Sequence, residues 1–178
     1  MSKRLAVAVM TLASVATSVA AQEAAATPTL RLVWIDPAGV AIGLEAVARE
    51  EVRSLLGRLG ISSSWRRARA GEATRRGEVN VILLDRGVMH APGVPVLGAT
   101  PLRPEGTEFV WVQVPNVRGA MGLRPNGSAR TLDPPASRSL AIAVGRVIAH
   151  ELVHALAPSV PHGSGLMSAM LTRRQLSA

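Results

Sequence analysis

The chain has 178 residues, with 20 Lys and Arg against 12 Asp and Glu for a formal charge of +8, aromatic side chains at 2% and neither cysteine nor tyrosine. That length is enough for one hydrophobic core, and the lack of cysteine excludes a disulfide scaffold. So few aromatic rings leave little to stack on nucleic acid bases, and the basic excess alone does not define a nucleic-acid-binding chain.

Residues 1–21 carry Lys3 and Arg4, then an apolar stretch from Leu5 that ends in Ser18-Val19-Ala20-Ala21. This is the pattern of a secretory signal peptide cleaved after Ala21 or Ala20, and the expected location is secreted or periplasmic. An uncleaved membrane anchor is the alternative, although the segment is at the short end for a span. No later stretch is expected to insert stably in a membrane once the signal is removed. Residues 22–28 read as a tether, and residues 29–178 as a single domain. Without Lys3 and Arg4 the chain carries 18 basic and 12 acidic residues, a formal +6, and every one of those basic residues is arginine.

Thr29 to Ile35 alternates and predicts a strand, closed by the turn residues Asp36-Pro37-Ala38-Gly39. Ile42 to Leu59 has helical apolar spacing with Glu45, Arg49, Glu50, Glu51 and Arg53 on its polar face, and Gly60 ends it. Strands are predicted over Ile61 to Arg69, Glu78 to Asp85 and Glu108 to Val114, with a short one over Val96 to Thr100. The densest basic cluster, Arg66, Arg67, Arg69, Arg75 and Arg76, is either a solvated face or an attractor for anionic polymer. From Pro115 to Pro135 the chain is dense in Gly, Pro, Asn and Arg without a period. A long loop is expected there, either bordering a cleft or running over the surface. It contains Asn126-Gly127-Ser128, a short glycosylation pattern.

The next segment carries the chemistry. In Ala149-His150-Glu151-Leu152-Val153-His154, positions i and i+4 of a helix are about 40° apart in azimuth and roughly 6 Å apart along the axis. Both imidazoles can therefore reach one ion, and Glu151 falls beside it. The helix around them is apolar on nearly every side and should be buried, where an unpartnered His-Glu-His group would be costly. Pro158 disfavours helix at Ala157, so the helix should stop within a turn of His154. No Asp or Glu follows before Ala178, which leaves His162 as the third candidate ligand. His90 is the one histidine outside this run, either a helper or an ordinary loop residue.

The stretch from His150 to Met167 resembles the zincin metallopeptidases, and His162 followed by Gly165-Leu166-Met167 looks like a relative of the metzincins, in which a methionine turn lies beneath three imidazoles. Metzincins place a glycine three residues after the second histidine and the third histidine three beyond it. Here those positions hold Ala157 and Val160, and His162 comes two residues late. Met167 taken alone is core filler, and its weight is positional.

The resemblance implies an α+β, zincin-like domain, with a twisted mixed β-sheet packed on a long N-terminal helix and a buried metal-binding helix. It also implies an edge strand that pairs with extended substrate, either Val94 to Thr100 or Glu108 to Val114. The function so implied is a secreted zinc-dependent metallopeptidase acting on a peptide or protein. Zn2+ is held by His150, His154 and His162, and Glu151 is the base that activates zinc-bound water. With no tyrosine, the oxyanion is left to zinc, a backbone amide or an arginine. Two alternatives stand beside this: a catalytically inert secreted zinc-binding protein, and a basic module for anionic envelope polymers or nucleic acid. Nucleic acid is not the expected partner.

Overall fold

The structure, a computed structural model, describes residues 29–69, 72–91, 93–101 and 108–177. The expected signal peptide at 1–21 and tether at 22–28 lie outside the described residues.

Period-2 alternation builds the sheet. Strand β1 (Thr29–Ile35) buries Leu32 and Trp34 on one face. It is followed by helix α1 (Glu45–Gly57) and then β2 (Ser62–Arg67), which pairs parallel to β1 in a β-α-β unit. Asp36 shapes the turn between β1 and α1, accepting 2.9 Å hydrogen bonds from the backbone N–H groups of Val40 and Ala41. Gly60 ends the helix region with φ +72°, a left-handed conformation that favours glycine.

Strand β3 (Glu78–Leu84) lies parallel on the other side of β1. The hairpin strands β4 (Val88–Ala91) and β5 (Val94–Val96) pair antiparallel in a small separate sheet. The two-residue strand β6 (Gly98–Ala99) runs antiparallel to β7 (Phe109–Gln113), which is parallel to β3. The main sheet is thus mixed, in the order β2-β1-β3-β7-β6. Of the two edge-strand expectations, the Val94 to Thr100 segment holds at β6, whereas β7 is interior between β3 and β6.

The expected long loop from Pro115 to Pro135 is corrected in its first third, where α2 (Val114–Ala120) follows β7 directly. Pro115 suits a first helical turn, which needs no N–H from it. Val114, Val117 and Arg118 are buried, so tertiary packing sustains a helix that the sequence period does not announce. The Asn116 amide donates 2.8 Å hydrogen bonds to the carbonyls of Val88 and Val96, fastening the hairpin.

Helix α3 (Pro134–Leu156) starts at an Asp133 cap, whose carboxylate accepts from Ala136 N–H at 2.7 Å, with Pro134 at its first position. It ends at Leu156, as Pro158 requires. Nearly everything from Leu140 to Leu152 is buried against the sheet and α1. The two helices touch at Gly145, where an added Cβ would lie 2.7 Å from the Ala48 carbonyl oxygen. Length and apolarity would let α3 cross a bilayer, but those faces are already covered. The chain finishes with a 3-10 turn at Gly165–Met167 and the short helix α4 (Arg173–Ser177), whose Leu176 enters the core. This is the expected α+β arrangement: a mixed sheet with a long N-terminal helix and a buried helix bearing the histidines.

Candidate metal centre

Helical spacing places His150 and His154 on successive turns near the end of α3, their ring centroids 4.8 Å apart and edge to face. After Leu156 the chain leaves the helix, and Val160 N–H donates to Ala157 O at 3.0 Å as it turns back. His162 arrives stacked against His150 with ring centroids 5.4 Å apart, and its Nε2 lies 3.2 Å from Nε2 of His154. One nitrogen from each of the three rings falls within 4.8 Å of the others, a group that could hold a metal ion. His150 and His154, singled out by spacing, and His162, singled out because no carboxylate follows His154, are therefore brought together. His90 is not among them; it is exposed on β4.

The donor set fits zinc. Two ligands of a tetrahedral ion at about 2.0 to 2.1 Å stand roughly 3.3 Å apart, close to the spacing of the two Nε2 atoms. The 3-10 turn supplies a second layer, with the Leu166 carbonyl oxygen 2.7 Å from His150 Nδ1. A carbonyl can only accept, so Nδ1 carries the proton and Nε2 keeps its lone pair for a metal. Gly165 opens that turn at φ +61°, its carbonyl accepts from the Gln175 side chain at 2.8 Å, and Gly163 N–H donates to Met167 O at 2.8 Å. The Gly-Leu-Met segment is thus a braced platform beneath His150. Burial, followed by the charges of His150 and His162, lowers the His154 pKa and favours the neutral ring that ligation needs.

Glu151 lies beside the imidazoles, its Oε1 4.0 Å from His150 Nε2. Only 6% of the residue is exposed, and burial pushes its carboxyl up to about 7, opposed by a hydrogen bond from Thr100 and by His162. Held by Thr100 through one oxygen and facing His150 with the other, this carboxylate is placed to take a proton and return it.

Two residues at this site carry no sequence signal. The Thr100 hydroxyl lies 2.7 Å from Glu151 Oε2 and 2.9 Å from the Glu151 main-chain oxygen. Gly98 in β6 lies so close to α3 that an added Cβ would stand 2.7 Å from Cγ and Oε1 of Glu151 and 2.8 Å from Val147 Cγ1. A single threonine and a single glycine among 16 stand out only once the strand is seen against the helix.

The arginine cluster is largely paired within the chain. Arg66 bonds Glu72 and Glu78, Arg67 bonds Glu45, and Arg75 bonds Glu72.

Among solved structures, the chain is similar to an archaemetzincin from Methanopyrus kandleri, with a TM-score of 0.51 and 17% identity over 84% of this chain and 86% of that one. At that identity the likeness establishes the shared fold. No family profile and no curated protein matches the sequence.

Proposed function

We propose that the chain is a secreted zinc-dependent metallopeptidase that hydrolyses peptide bonds in peptides or proteins. The observation that carries this reading is the gathering of three imidazole nitrogens within 4.8 Å beside a buried carboxylate. The fold shared with a protein described as an archaemetzincin supports it, and the signal-like residues 1–21 support secretion.

His150, His154 and His162 would hold the ion. Zinc bound by three neutral imidazoles supplies Lewis acidity toward a carbonyl oxygen and lowers the pKa of water toward about 7. Glu151 takes the proton of the attacking water on the oxygen that faces His150, then delivers it to the departing amine. Strand β6 ends the main sheet among the described residues, and its outer edge offers main-chain groups to an extended peptide.

An inert zinc-binding protein has no need of a carboxylate buried beside the imidazoles, where desolvation opposes its charge. A polyanion-binding module is disfavoured because Arg66, Arg67 and Arg75 of the densest basic cluster are already engaged by Glu45, Glu72 and Glu78.

The test is Glu151→Gln assayed against a quenched fluorescent peptide library, with zinc measured by elemental analysis. Loss of turnover by about 100-fold or more with zinc still at one per chain is the expected result. Undiminished hydrolysis in the variant would remove Glu151 as the base.

A further inference from the structure

Glu151 is a long side chain with three rotatable bonds, set where little water can hold its carboxylate in place. Its orientation must come from neighbouring protein groups. Both come from β6 and the residue that follows it. The Thr100 hydroxyl is within bonding distance of two atoms of the same glutamate, Oε2 at 2.7 Å and the main-chain oxygen at 2.9 Å. A hydroxyl carries one donor hydrogen and can rotate it toward either acceptor. Gly98, two residues earlier on the same extended segment, leaves room for the rest of the side chain, since a Cβ there would stand 2.7 Å from Glu151 Cγ and Oε1.

We infer that Thr100 and Gly98 are positioning residues that fix the rotamer of the Glu151 base, Thr100 by engaging Oε2 and Gly98 by admitting Oε1. The consequence is a division of labour between the two carboxylate oxygens. Oε2 is anchored on Thr100, while Oε1 faces His150 Nε2 and is left for proton transfer. The same short strand would pair with an extended substrate, so base and scissile bond are placed from one piece of backbone. A misplacement of about 1 Å can cost roughly 100-fold in rate, so one hydroxyl at this point has leverage on turnover. The inference rests on the peptidase reading for its kinetic meaning, but its structural content is independent of that reading.

The experiment compares wild-type protein with Thr100→Val, Thr100→Ser and Gly98→Ala, each assayed on the best-cleaved member of a quenched fluorescent peptide library and each analysed for zinc. In Thr100→Val, kcat is expected to fall about 10- to 100-fold with KM within about twofold and zinc still at one per chain. Serine keeps the hydroxyl and is expected to restore most of kcat, which a purely structural role for the threonine methyl would not allow. Gly98→Ala is expected to lower kcat in the same way.

Wild-type kcat in Thr100→Val, or an equal loss in Thr100→Ser, overturns the inference. Crystal structures of wild-type and Thr100→Val provide the readout that needs no activity. A carboxylate rotated away from its wild-type position in the variant upholds the inference, and an unchanged one overturns it. If wild-type protein cleaves no peptide, the peptidase reading fails alone and the two structures still decide the role of Thr100.

Discussion

At the residue scale, the Arg66–Glu78 pair shows how this arginine-rich chain places charge inside a sheet. Glu78 is 7% exposed, and the pair reaches across β1 from its two neighbours. Arg66 Nε and a terminal guanidinium nitrogen donate to the two carboxylate oxygens at 2.8 and 2.7 Å, and Arg75 N–H adds a third bond at 2.9 Å. The Arg66 bonds, and after them the Arg75 N–H, hold the Glu78 carboxyl down to about 2. A carboxyl with a depressed folded-state pKa binds fewer protons in the folded chain than in the unfolded one, so its contribution is present above the unfolded value of about 4.3 and fades as pH falls toward 2. Melting temperatures of wild-type and Glu78→Gln protein, both with chelator present, should therefore differ at pH 7 and converge as pH drops from about 5 to 2. A gap that stays constant over that interval would mean that the pair is not the source of the difference. This ion pair was visible in the sequence only as a charge run, whereas His150, Glu151 and His154 were legible because helix geometry alone fixes their relation. His162 was reached because no carboxylate competes with it after His154. Thr100 was not legible, since its partner is 51 residues away and nothing local marks it.

At the scale of elements, β1, β3, β7 and both long helices could be read because their apolar residues fall where the fold buries them. Helix α2 could not: Val-Pro-Asn-Val-Arg-Gly-Ala has poor helix formers and no sustained period, and it is held by burial of Val114, Val117 and Arg118 and by the Asn116 amide. The β4-β5 hairpin was missed for a related reason, being short and outside the main sheet. The contact of α1 with α3 at Gly145 was equally silent. Gly145 in mid-α3 looks like a weak point, because glycine costs about 1 kcal/mol relative to alanine in a helix interior. Its neighbours reverse that expectation, since a Cβ would stand 2.7 Å from Ala48 O and 2.8 Å from Glu51 Cβ, one of them rigid backbone. Gly145→Ala should destabilise the chain by about 1 to 2 kcal/mol net in urea unfolding, the overpacking outweighing the propensity gain. A stabilised variant would show that α1 and α3 can separate at little cost.

For the whole molecule, the metal group joins two parts of the chain that otherwise meet through few bonds. His150 and His154 belong to the buried helix, while His162 sits exposed on the segment that leads to the 3-10 turn and α4. That terminal segment is moored by Leu176 in the core, by the Arg146 guanidinium donating to Gln175 O at 2.9 Å, and by the Leu166 carbonyl at His150. Arg146 also bonds Glu51 at 2.8 Å, so α1, α3 and α4 share one guanidinium. An ion on all three rings adds a clasp between Ala157 and Gly165, where the described backbone has only sparse hydrogen bonds. Binding to the folded state alone should stabilise it by mass action, by about 2.7 kcal/mol when free zinc is 100 times Kd. For a domain of this size that corresponds to roughly 5 to 10 °C in melting temperature. The shift should rise with the logarithm of free zinc, vanish on chelation and be largely lost in His162→Ala. Hydrogen exchange should locate the protection gained with zinc between residues 157 and 167, ahead of the core strands, because opening there requires least of the rest of the fold. A zinc-dependent shift of full size in His162→Ala would leave the terminal segment outside the metal group and return the third ligand position to some other donor.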